Sequence, residues 1–413
     1  MALIRAFRAI RPRTEYAGRV ISLPYDVMNR EEAKRMAEDN PYSFLHICRA
    51  EIDMPEETDP YAAAVYEKAR KNIEEYIERG VFFREEKPML YIYREIMNGN
   101  MQTGIVGCVA ADEYRDGIIK KHELTRLDKE IDRINHFDVC GADTEPVFLT
   151  YRDDERITCI VNTWADEHTP EYDVTADGGV RHILWKIDDE NKIAEITDLF
   201  EEIKSLYIAD GHHRSASAYK VALKRREENP GFTGDEEFNF FMAAVFPAGD
   251  LKIFDYNRVV RDLNGLSKEQ FIEAVRNAGF KVIRLGREAA HPRASHVFTM
   301  YLDGIWYELE ALDEIIPGDV IGALDVSILQ ERVLAPILGI DDPRADDRID
   351  FVGGVRGLAE LERRCGEDMK VAFTVYPVDI SKLMSVADAG LIMPPKSTWF
   401  EPKLASGLFM HEL

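Results

Sequence analysis

The segment from Leu206 to Ala216 constrains the fold of this chain more than any other. An apolar stretch, Leu206 to Ala209, leads directly into Asp210-Gly211-His212-His213-Arg214 and then into a segment of helical character. A strand that ends in a short polar turn at a helix start favours anion binding, because the first helical N–H groups lack partners within the helix and lie at its positive end. The segment therefore predicts a strand–turn–helix unit with an anion site at the turn.

The side chains of this turn predict what the site holds. Gly211 allows a positive φ or a close approach of the backbone to a ligand. His212, His213 and Arg214 supply donors for a phosphate group, and Asp210 is a candidate ligand for a divalent metal. The alternative is a helix capped by Asp210 that carries two exposed histidines.

A second group of polar residues lies between His122 and Arg133. Within a helix predicted over 119–135, five of these residues share one face at three- and four-residue spacing: His122, Thr125, Arg126, Lys129 and Arg133. Such a face suits a phosphorylated substrate or a triphosphate, since arginine gives bidentate contacts and lysine a point charge. The alternative is a solvated helix whose acidic residues neutralise its basic ones.

A third group follows two prolines near the end of the sequence. Lys396, Ser397 and Thr398 offer an ammonium group and two hydroxyls that suit phosphate or carboxylate. Serine and threonine beside proline are also ordinary turn residues. Both interpretations stay open at this point.

Composition excludes several classes of function. The net charge is −24, which repels the phosphate backbone of nucleic acids, so we expect no nucleic-acid partner. The longest apolar run, Phe240 to Phe246, is too short to span a bilayer, and residues 1–5 have no apolar signal core, so we expect a cytoplasmic protein with no membrane partner. None of the 5 cysteines lies within four residues of another, which excludes a zinc knuckle.

The order of predicted elements indicates a mixed α/β (α+β) fold. Asn98-Gly99 between two apolar stretches predicts a β-hairpin, and Gly249-Asp250 is expected to join strands 239–246 and 251–258 in another. The pattern restarts near residue 262. We therefore predict a larger domain over 1–262 and a smaller α/β domain over 263–413, whose C-terminal segment is expected to complete the site of the first.

Two resemblances to known families extend this interpretation. The Asp210–Arg214 motif followed by a helix resembles the nucleotide-binding motif of the ParB/sulfiredoxin superfamily, most of all that of its free-serine kinases. The chain as a whole resembles a bacterial and archaeal family known only as a domain of unknown function. The segments that carry the second resemblance are Pro24-Tyr25-Asp26-Val27, 40–46, Lys121 to Arg126 with Lys129, Asp132 and Arg133, the Asp210–Arg214 motif, Tyr256-Asn257-Arg258, 351–354 and 393–400.

The superfamily resemblance implies phosphoryl transfer on a nucleotide-binding core with a mixed sheet. By this resemblance Asp210 would bind Mg²⁺, while Gly211, His212, His213 and Arg214 would hold the transferring group, with His213 in a catalytic role. The general base is expected to be Glu123 or, as second choice, Asp26, which could also be a turn residue. Phosphate or substrate contacts would come from a wider set: His122, Arg126, Lys129, Arg133, Lys396, Ser397 and Thr398.

The resemblance also suggests the reactants. Serine or O-phosphoserine is the implied substrate, handled by a kinase that uses ADP or ATP or by a phosphatase that uses water. The alternative is a regulatory protein that binds nucleotide without turnover. The expected partners are a small phosphorylated molecule or a nucleotide, and the interpretation is compatible with a homodimer.

Overall fold

The computed structural model describes residues 1–176 and 178–413. The chain forms two compact units. Unit 1 contains Met1–Leu251 and Pro402–Leu413, and unit 2 contains Lys252–Glu401. The chain thus leaves unit 1 at Leu251, eleven residues before the boundary that the sequence predicts near 262, and re-enters it at Pro402.

The strands, in chain order, are β1 (Ala9–Pro12), β2 (Phe82–Arg84), β3 (Leu90–Met97), β4 (Asn100–Ala110), β5 (Ile119–Lys120), β6 (Ala142–Asp143), β7 (Val147–Tyr151), β8 (Tyr172–Thr175), β9 (Arg181–Ile187), β10 (Leu206–Asp210), β11 (Phe240–Pro247), β12 (Ile253–Phe254), β13 (Tyr256–Val260), β14 (Phe280–Gly286), β15 (Val297–Leu302), β16 (Ile305–Ala311), β17 (Ile349–Gly353), β18 (Val371–Thr374), β19 (Trp399–Phe400) and β20 (Met410–Glu412).

The α-helices are α1 (Thr14–Val20), α2 (Arg30–Ala37), α3 (Leu45–Cys48), α4 (Ala63–Glu78), α5 (Ala111–Arg115), α6 (Leu127–Cys140), α7 (Glu155–Glu167), α8 (Glu190–Glu202), α9 (His212–Glu228), α10 (Lys268–Asn277), α11 (Asp325–Leu329), α12 (Leu358–Glu367) and α13 (Ile380–Asp388). Helices and strands alternate through both units, so the predicted mixed α/β class is confirmed. In the described residues, no helix is both long and apolar enough to cross a membrane.

Unit 1 is built around an eight-stranded mixed sheet. Its order is β5-β10-β7-β11-β4-β3-β9-β8, with β10 parallel to β5 and antiparallel to β7. The hairpin predicted at Asn98-Gly99 is confirmed: both residues have positive φ, 50° and 79°, as a tight two-residue turn between twisted strands requires. This sheet places the carboxyl end of β10, and with it Asp210, beside the start of β7.

A second sheet of unit 1 includes the returning C-terminal segment. Its order is β2-β1-β20-β6, so β20 pairs with β1 on one side and with β6 on the other. Residues 402–413 are therefore an integral part of unit 1.

Two predicted elements of unit 1 are wrong. Strand β11 does not form a hairpin with the following strand, because both of its edges are already paired, with β4 and with β7. The helix predicted over 119–135 begins only at Leu127, because Ile119 and Lys120 pair with Leu206 and Tyr207 of β10. Tertiary pairing overrides the local helical pattern at both places.

Unit 2 contains a six-stranded antiparallel sheet of order β14-β16-β15-β18-β13-β17. Strands β15 and β16 form a hairpin through Asp303 and Gly304, which have φ of 50° and 74°. Helix α11 continues directly into a π-helical turn, Gln330–Leu334. The short strands β12 and β19 pair with each other, which fixes the two ends of unit 2 together.

Candidate functional site

The turn between β10 and α9 has the geometry that its sequence predicts. Asp210 is the last residue of β10, Gly211 has a φ of 93°, and α9 begins at His212. A side chain at Gly211 would place its Cβ 3.0 Å from Nε of Arg214. Glycine is therefore required at position 211 for two reasons: the backbone is left-handed there, and the Arg214 guanidinium leaves no room for a side chain.

Asp210 is held by cations and by a backbone donor. Its Oδ1 accepts a hydrogen bond from the N–H of Gly211 at 2.7 Å, and its Oδ2 accepts one from Nζ of Lys403 at 2.9 Å. Burial alone would raise the pKa of Asp210, but the charges of Lys403 and Arg214 outweigh it and hold the pKa well below its usual range. The carboxylate is thus ionised, and Lys403 is a contact that the sequence did not reveal.

Two buried arginines lie close to this turn. Arg214 donates from Nη1 to the carbonyl of Pro146 at 2.6 Å. Arg133 donates from Nε and Nη2 to Oδ2 of Asp132, at 3.0 and 2.9 Å, and its guanidinium lies 3.9 Å from the ring centre of Tyr25. Burial lowers the pKa of each guanidinium, but neighbouring carboxylates raise it by more, so both arginines stay charged.

Glu145 lies between these arginines and was missed from the sequence. Its Oε1 accepts hydrogen bonds from the N–H of Tyr25 and the hydroxyl of Ser406, and its Oε2 lies 3.9 Å from Nη1 of Arg133. Burial raises the pKa of Glu145, against the opposing charges of Arg214 and Arg133. The only sequence signal is its position before Pro146 at the start of an apolar strand, which does not reveal burial.

Three buried polar atoms in this group have no hydrogen-bond partner: Nη1 of Arg133, Nε of Arg214 and Oε2 of Glu145. Buried polar atoms are nearly always paired, and leaving one unmatched costs about 1–3 kcal/mol. A water molecule or a ligand oxygen at this place would satisfy the two N–H groups.

A pocket of about 330 Å³ opens next to Arg133, and we call it the Asp26 pocket. Asp26 lies in a short 3₁₀ turn, Tyr25–Val27, and is exposed, while its charge influences the pKa of Arg214, Glu145 and His213. The pocket is lined by Tyr25, Asp26, Met28, Asn29, Arg30, Cys48, Arg49, Glu51, Pro60, Tyr61, Lys129, Asp132 and Arg133. Three residues singled out from the sequence, Asp26, Lys129 and Arg133, are thus brought together.

The histidines of the motif are largely neutral. His122 and His212 are buried with ring centres 4.6 Å apart. Burial lowers the pKa of His122 to about 4 and that of His212 well below its usual range, so neither carries charge at neutral pH. His213 is half-buried and its Nε2 accepts the N–H of Arg126 at 3.0 Å, which leaves Nδ1 as its donor.

The segment between β5 and α6 places the other predicted residues outside a helix. Arg126 is exposed and ion-paired with Asp128 at 2.9 Å. Glu123 is half-buried in the same loop. Of the predicted helical face, Lys129 and Arg133 remain on one helix at four-residue spacing, and Nζ of Lys129 donates to the hydroxyl of Tyr61 at 2.7 Å.

The third predicted group belongs to unit 2. Lys396 is exposed with a φ of 58°, and its Nζ lies 5.3 Å from the ring centre of Tyr256. Ser397 is buried, and its hydroxyl donates to the carbonyl of Pro394 at 2.6 Å, as expected of a turn residue. Thr398 is half-buried. A binding role for these three residues stays a prediction.

Metal binding at Asp210 also stays a prediction. Across residues 1–176 and 178–413, no group of three or more His, Cys, Asp or Glu side chains is arranged to hold a metal ion. A Mg²⁺ ion does not require such a group, since it keeps several waters and often takes one or two carboxylates together with substrate phosphates. Asp210 retains lone pairs beyond the two that Gly211 and Lys403 occupy.

Comparison with solved structures finds similarities at low identity. A conserved hypothetical protein from Pyrococcus furiosus is 13% identical over 74% of this chain and 94% of that chain, with a TM-score of 0.37. A free serine kinase in complex with AMP is 14% identical over 71% and 86%, with a TM-score of 0.36. SbnI from Staphylococcus aureus, truncated at its C-terminus, is 11% identical over 74% and 87%, with a TM-score of 0.39.

Comparison at the level of sequence gives the family. No curated protein matches the chain. The profile of the family described as "Protein of unknown function (DUF1015)" matches residues 4–327, which is more than three quarters of the chain and includes the Asp210–Arg214 motif and the whole Asp26 pocket. The chain belongs to the DUF1015 family.

Proposed function

We propose that this protein transfers a phosphoryl group to or from a small hydroxy amino acid, serine or O-phosphoserine, with Mg²⁺. The observation that carries the proposal is the unmatched set of Arg133 Nη1, Arg214 Nε and Glu145 Oε2. Two buried, charged groups have N–H donors without acceptors, and one of them, Arg133, lines the Asp26 pocket. Such donors suit the oxygens of a phosphoryl group. Charge-assisted hydrogen bonds of this kind are about twice as strong as neutral ones.

Phosphoryl transfer asks a protein mainly for positioned charge. Arg214 is fixed by Pro146 and Gly211, and Arg133 is fixed by Asp132 and Tyr25, so neither side chain needs to reorganise around the transferring group. Lys129 and the Nδ1 of His213 would contact the remaining oxygens. Mg²⁺, when bound with the phosphates near Asp210, would neutralise their negative charge.

Asp26 is the favoured general base. It lines the Asp26 pocket together with Arg133 and Lys129, and its exposed carboxylate can accept the proton of a substrate hydroxyl or orient a water. Glu123, in the loop before α6, is the second choice. A hydroxy amino acid as acceptor makes the protein a kinase with ADP or ATP as the nucleotide, whereas water makes it a phosphatase.

The test is phosphorus NMR on purified protein with Mg²⁺ and O-phosphoserine, with and without ADP. Free phosphate without nucleotide would identify a phosphatase, and ATP formed only with ADP would identify a reversible kinase. Asp26→Asn and Arg214→Lys are expected to abolish or strongly reduce either product. Arg126→Lys is the control. The guanidinium of Arg126 is exposed and ion-paired with Asp128, so we no longer assign it a phosphate contact and expect full activity.

A second function is favoured by one observation, namely that Asp210 already has Lys403 and Gly211 as partners. A site with a satisfied carboxylate suits a regulatory protein that binds nucleotide without turnover. Nucleotide binding that persists in Asp26→Asn, with no product from the wild type, would establish that function and exclude phosphoryl transfer.

A further inference from the structure

Arg258 of unit 2 is a buried cation without a counter-charge. It lies in β13, between β17 and β18, and only 4% of its surface is exposed. Its Nη1 donates to the carbonyl of Tyr256 and its Nη2 to that of Lys396 at 3.1 Å. No carboxylate of the described residues lies within 4.0 Å of its guanidinium, and none contributes to the pKa of this arginine.

The absence of a partner acid is evident in the electrostatics of this arginine. Burial lowers the pKa of Arg258 to about 10, and only Tyr256 opposes that shift. Buried charges in proteins are ordinarily paired, because desolvation of an isolated ion is costly. An anion from outside the chain would supply the missing charge.

A pocket of about 410 Å³ adjoins Arg258 within unit 2, and we call it the Arg258 pocket. Its other lining residues are Val326, Gln330, Leu334, Asp341, Asp342, Pro343, Arg344, Pro394 and Pro395. Val326, Leu334 and the prolines give it apolar walls. Asp342 is ion-paired with Arg344 at 3.0 Å, whereas Asp341 has no cationic partner within 4.0 Å among the described residues.

Unusual backbone conformations form the walls of this pocket. Gln330 and Leu334 are the two ends of the π-helical turn, a feature that is rare and often found at functional sites. Lys396, whose carbonyl Arg258 binds, has a left-handed φ of 58°. The side-chain amide of Gln330 donates to the carbonyls of Ile340 and Asp341, at 2.8 and 3.3 Å, which fixes the loop that carries Asp341.

We propose that the Arg258 pocket binds a neutral α-amino acid. The planar guanidinium of Arg258 suits a carboxylate, which it can bind through two parallel N–H groups. The carboxylate of Asp341 would take the ammonium group, and the apolar walls would contact the side chain. A pocket that is mostly apolar with a few convergent polar groups is the usual form of a small-molecule site.

Amino-acid binding at this pocket does not depend on phosphoryl transfer in unit 1. The two can be told apart, because a neutral amino acid without a hydroxyl group, such as valine, cannot accept a phosphoryl group. Asp26→Asn in unit 1 should bind valine normally, so valine binding that depends on Arg258 and not on Asp26 reports on the Arg258 pocket.

The test is isothermal titration calorimetry of the full chain with L-serine, L-valine and L-leucine. Two fragments of valine separate its charged groups: 3-methylbutanoate lacks the ammonium and isobutylamine lacks the carboxylate. We expect at least one amino acid to bind and each fragment to bind about tenfold more weakly or not at all, since each lost charged hydrogen bond is worth roughly 1.5–3 kcal/mol.

Substitutions assign the binding to this pocket. Arg258→Lys keeps the charge but removes the planar fork, and Asp341→Asn removes the partner of the ammonium; each should weaken binding about tenfold or more. Arg363→Gln, at an exposed arginine of unit 2 that is ion-paired with Glu360 and lies outside the pocket, is the matched control and should bind normally.

Three results would overturn the proposal. The first is that none of the three amino acids binds. The second is that binding is unchanged in both Arg258→Lys and Asp341→Asn. The third is that 3-methylbutanoate or inorganic phosphate binds as tightly as valine, which would make the pocket a simple anion site. If Arg258→Lys does not fold, Asp341→Asn decides, because Asp341 is exposed.

Discussion

Unit 1 and unit 2 bury their arginines in different ways. Arg133 and Arg214 in unit 1 lie among carboxylates, those of Asp132, Glu145 and Asp210. Among the described residues, Arg258 in unit 2 has no carboxylate partner: it donates to two backbone carbonyls and lies 5.4 Å from the ring centre of Phe351. A guanidinium beside acids is held in place by them and offers a ligand its unpaired N–H groups, whereas one without acids also offers a charge that nothing in the chain balances. Burial alone therefore does not indicate what an arginine does.

The largest expected effect is on stability, and it contrasts the two kinds of arginine. Arg133→Met would leave Asp132 and Glu145 buried without their cation, which should cost about 3–5 kcal/mol. Arg258→Met loses two carbonyl hydrogen bonds and the contact with Phe351, but it also removes a buried charge whose desolvation no acid offsets, so its cost should be smaller, about 1–2 kcal/mol. Urea denaturation of both variants measures the difference. Equal losses in the free energy of unfolding would mean that Asp132 and Glu145 do not depend on the charge of Arg133.

Low pH should destabilise unit 1, because its buried histidines are neutral in the folded state and resist protonation there. The folded pKa of His122 is about 4 against 6.5 in the unfolded chain, so its contribution is complete above pH 6.5 and is lost as the pH falls toward 4. The loss amounts to about 3 kcal/mol at most. His122→Gln should make thermal unfolding less dependent on pH between 7 and 4.5. The pKa of Arg258 is about 10, so its guanidinium stays charged over this range and remains available to the carboxylate of valine.

A smaller effect is expected at the turn that positions Arg214. Gly211→Ala places a Cβ against the guanidinium as well as a side chain at positive φ, at a cost of about 1–3 kcal/mol. Gly99→Ala is the matched control, since Gly99 also has a positive φ, 79°, but open space around it. Thermal unfolding measures the cost of each, and phosphoryl transfer should fall only in Gly211→Ala. A similar loss of activity in both variants would argue against the role of Arg214.

The smallest effect should come from the exposed arginine of the same segment. Arg126→Gln breaks a surface ion pair with Asp128, and such pairs contribute about 0–1 kcal/mol. Its unfolding midpoint and its phosphoryl transfer should match those of the wild type. A large loss of activity would show that Arg126 reaches the substrate, and the contrast between buried and exposed arginines would then fail.

The sequence correctly predicted the elements whose conformation depends on neighbouring residues. The strand, glycine turn and helix around Asp210 follow from an apolar run, a residue that tolerates positive φ and a helical segment, and all three occur as expected. The Asn98-Gly99 hairpin follows for the same reason. Strand pairing with residues distant in sequence is not visible in a local pattern. Ile119 pairs with β10 instead of starting a helix, and β11 pairs with β4 instead of forming a hairpin with the strand that follows it.

The partners of the site residues could not be predicted. Lys403 reaches Asp210 across 193 positions of sequence, and Ser406 reaches Glu145 across 261. Nothing in the composition of these segments marks them as neighbours. The burial of Glu145, which gives the site its unmatched oxygen, depends on the packing of several elements and has no signature in its own sequence.

The return of the chain to unit 1 at Pro402 has a consequence for the order in which the protein is made. A ribosome synthesises Asp210 and Glu145 first, then all of unit 2, and only afterwards Lys403 and Ser406. Strand β20, which fills the space between β1 and β6, also emerges after unit 2. Asp210 and Glu145 therefore cannot acquire these partners until unit 2 has been synthesised, and a product released before residue 402 would lack them.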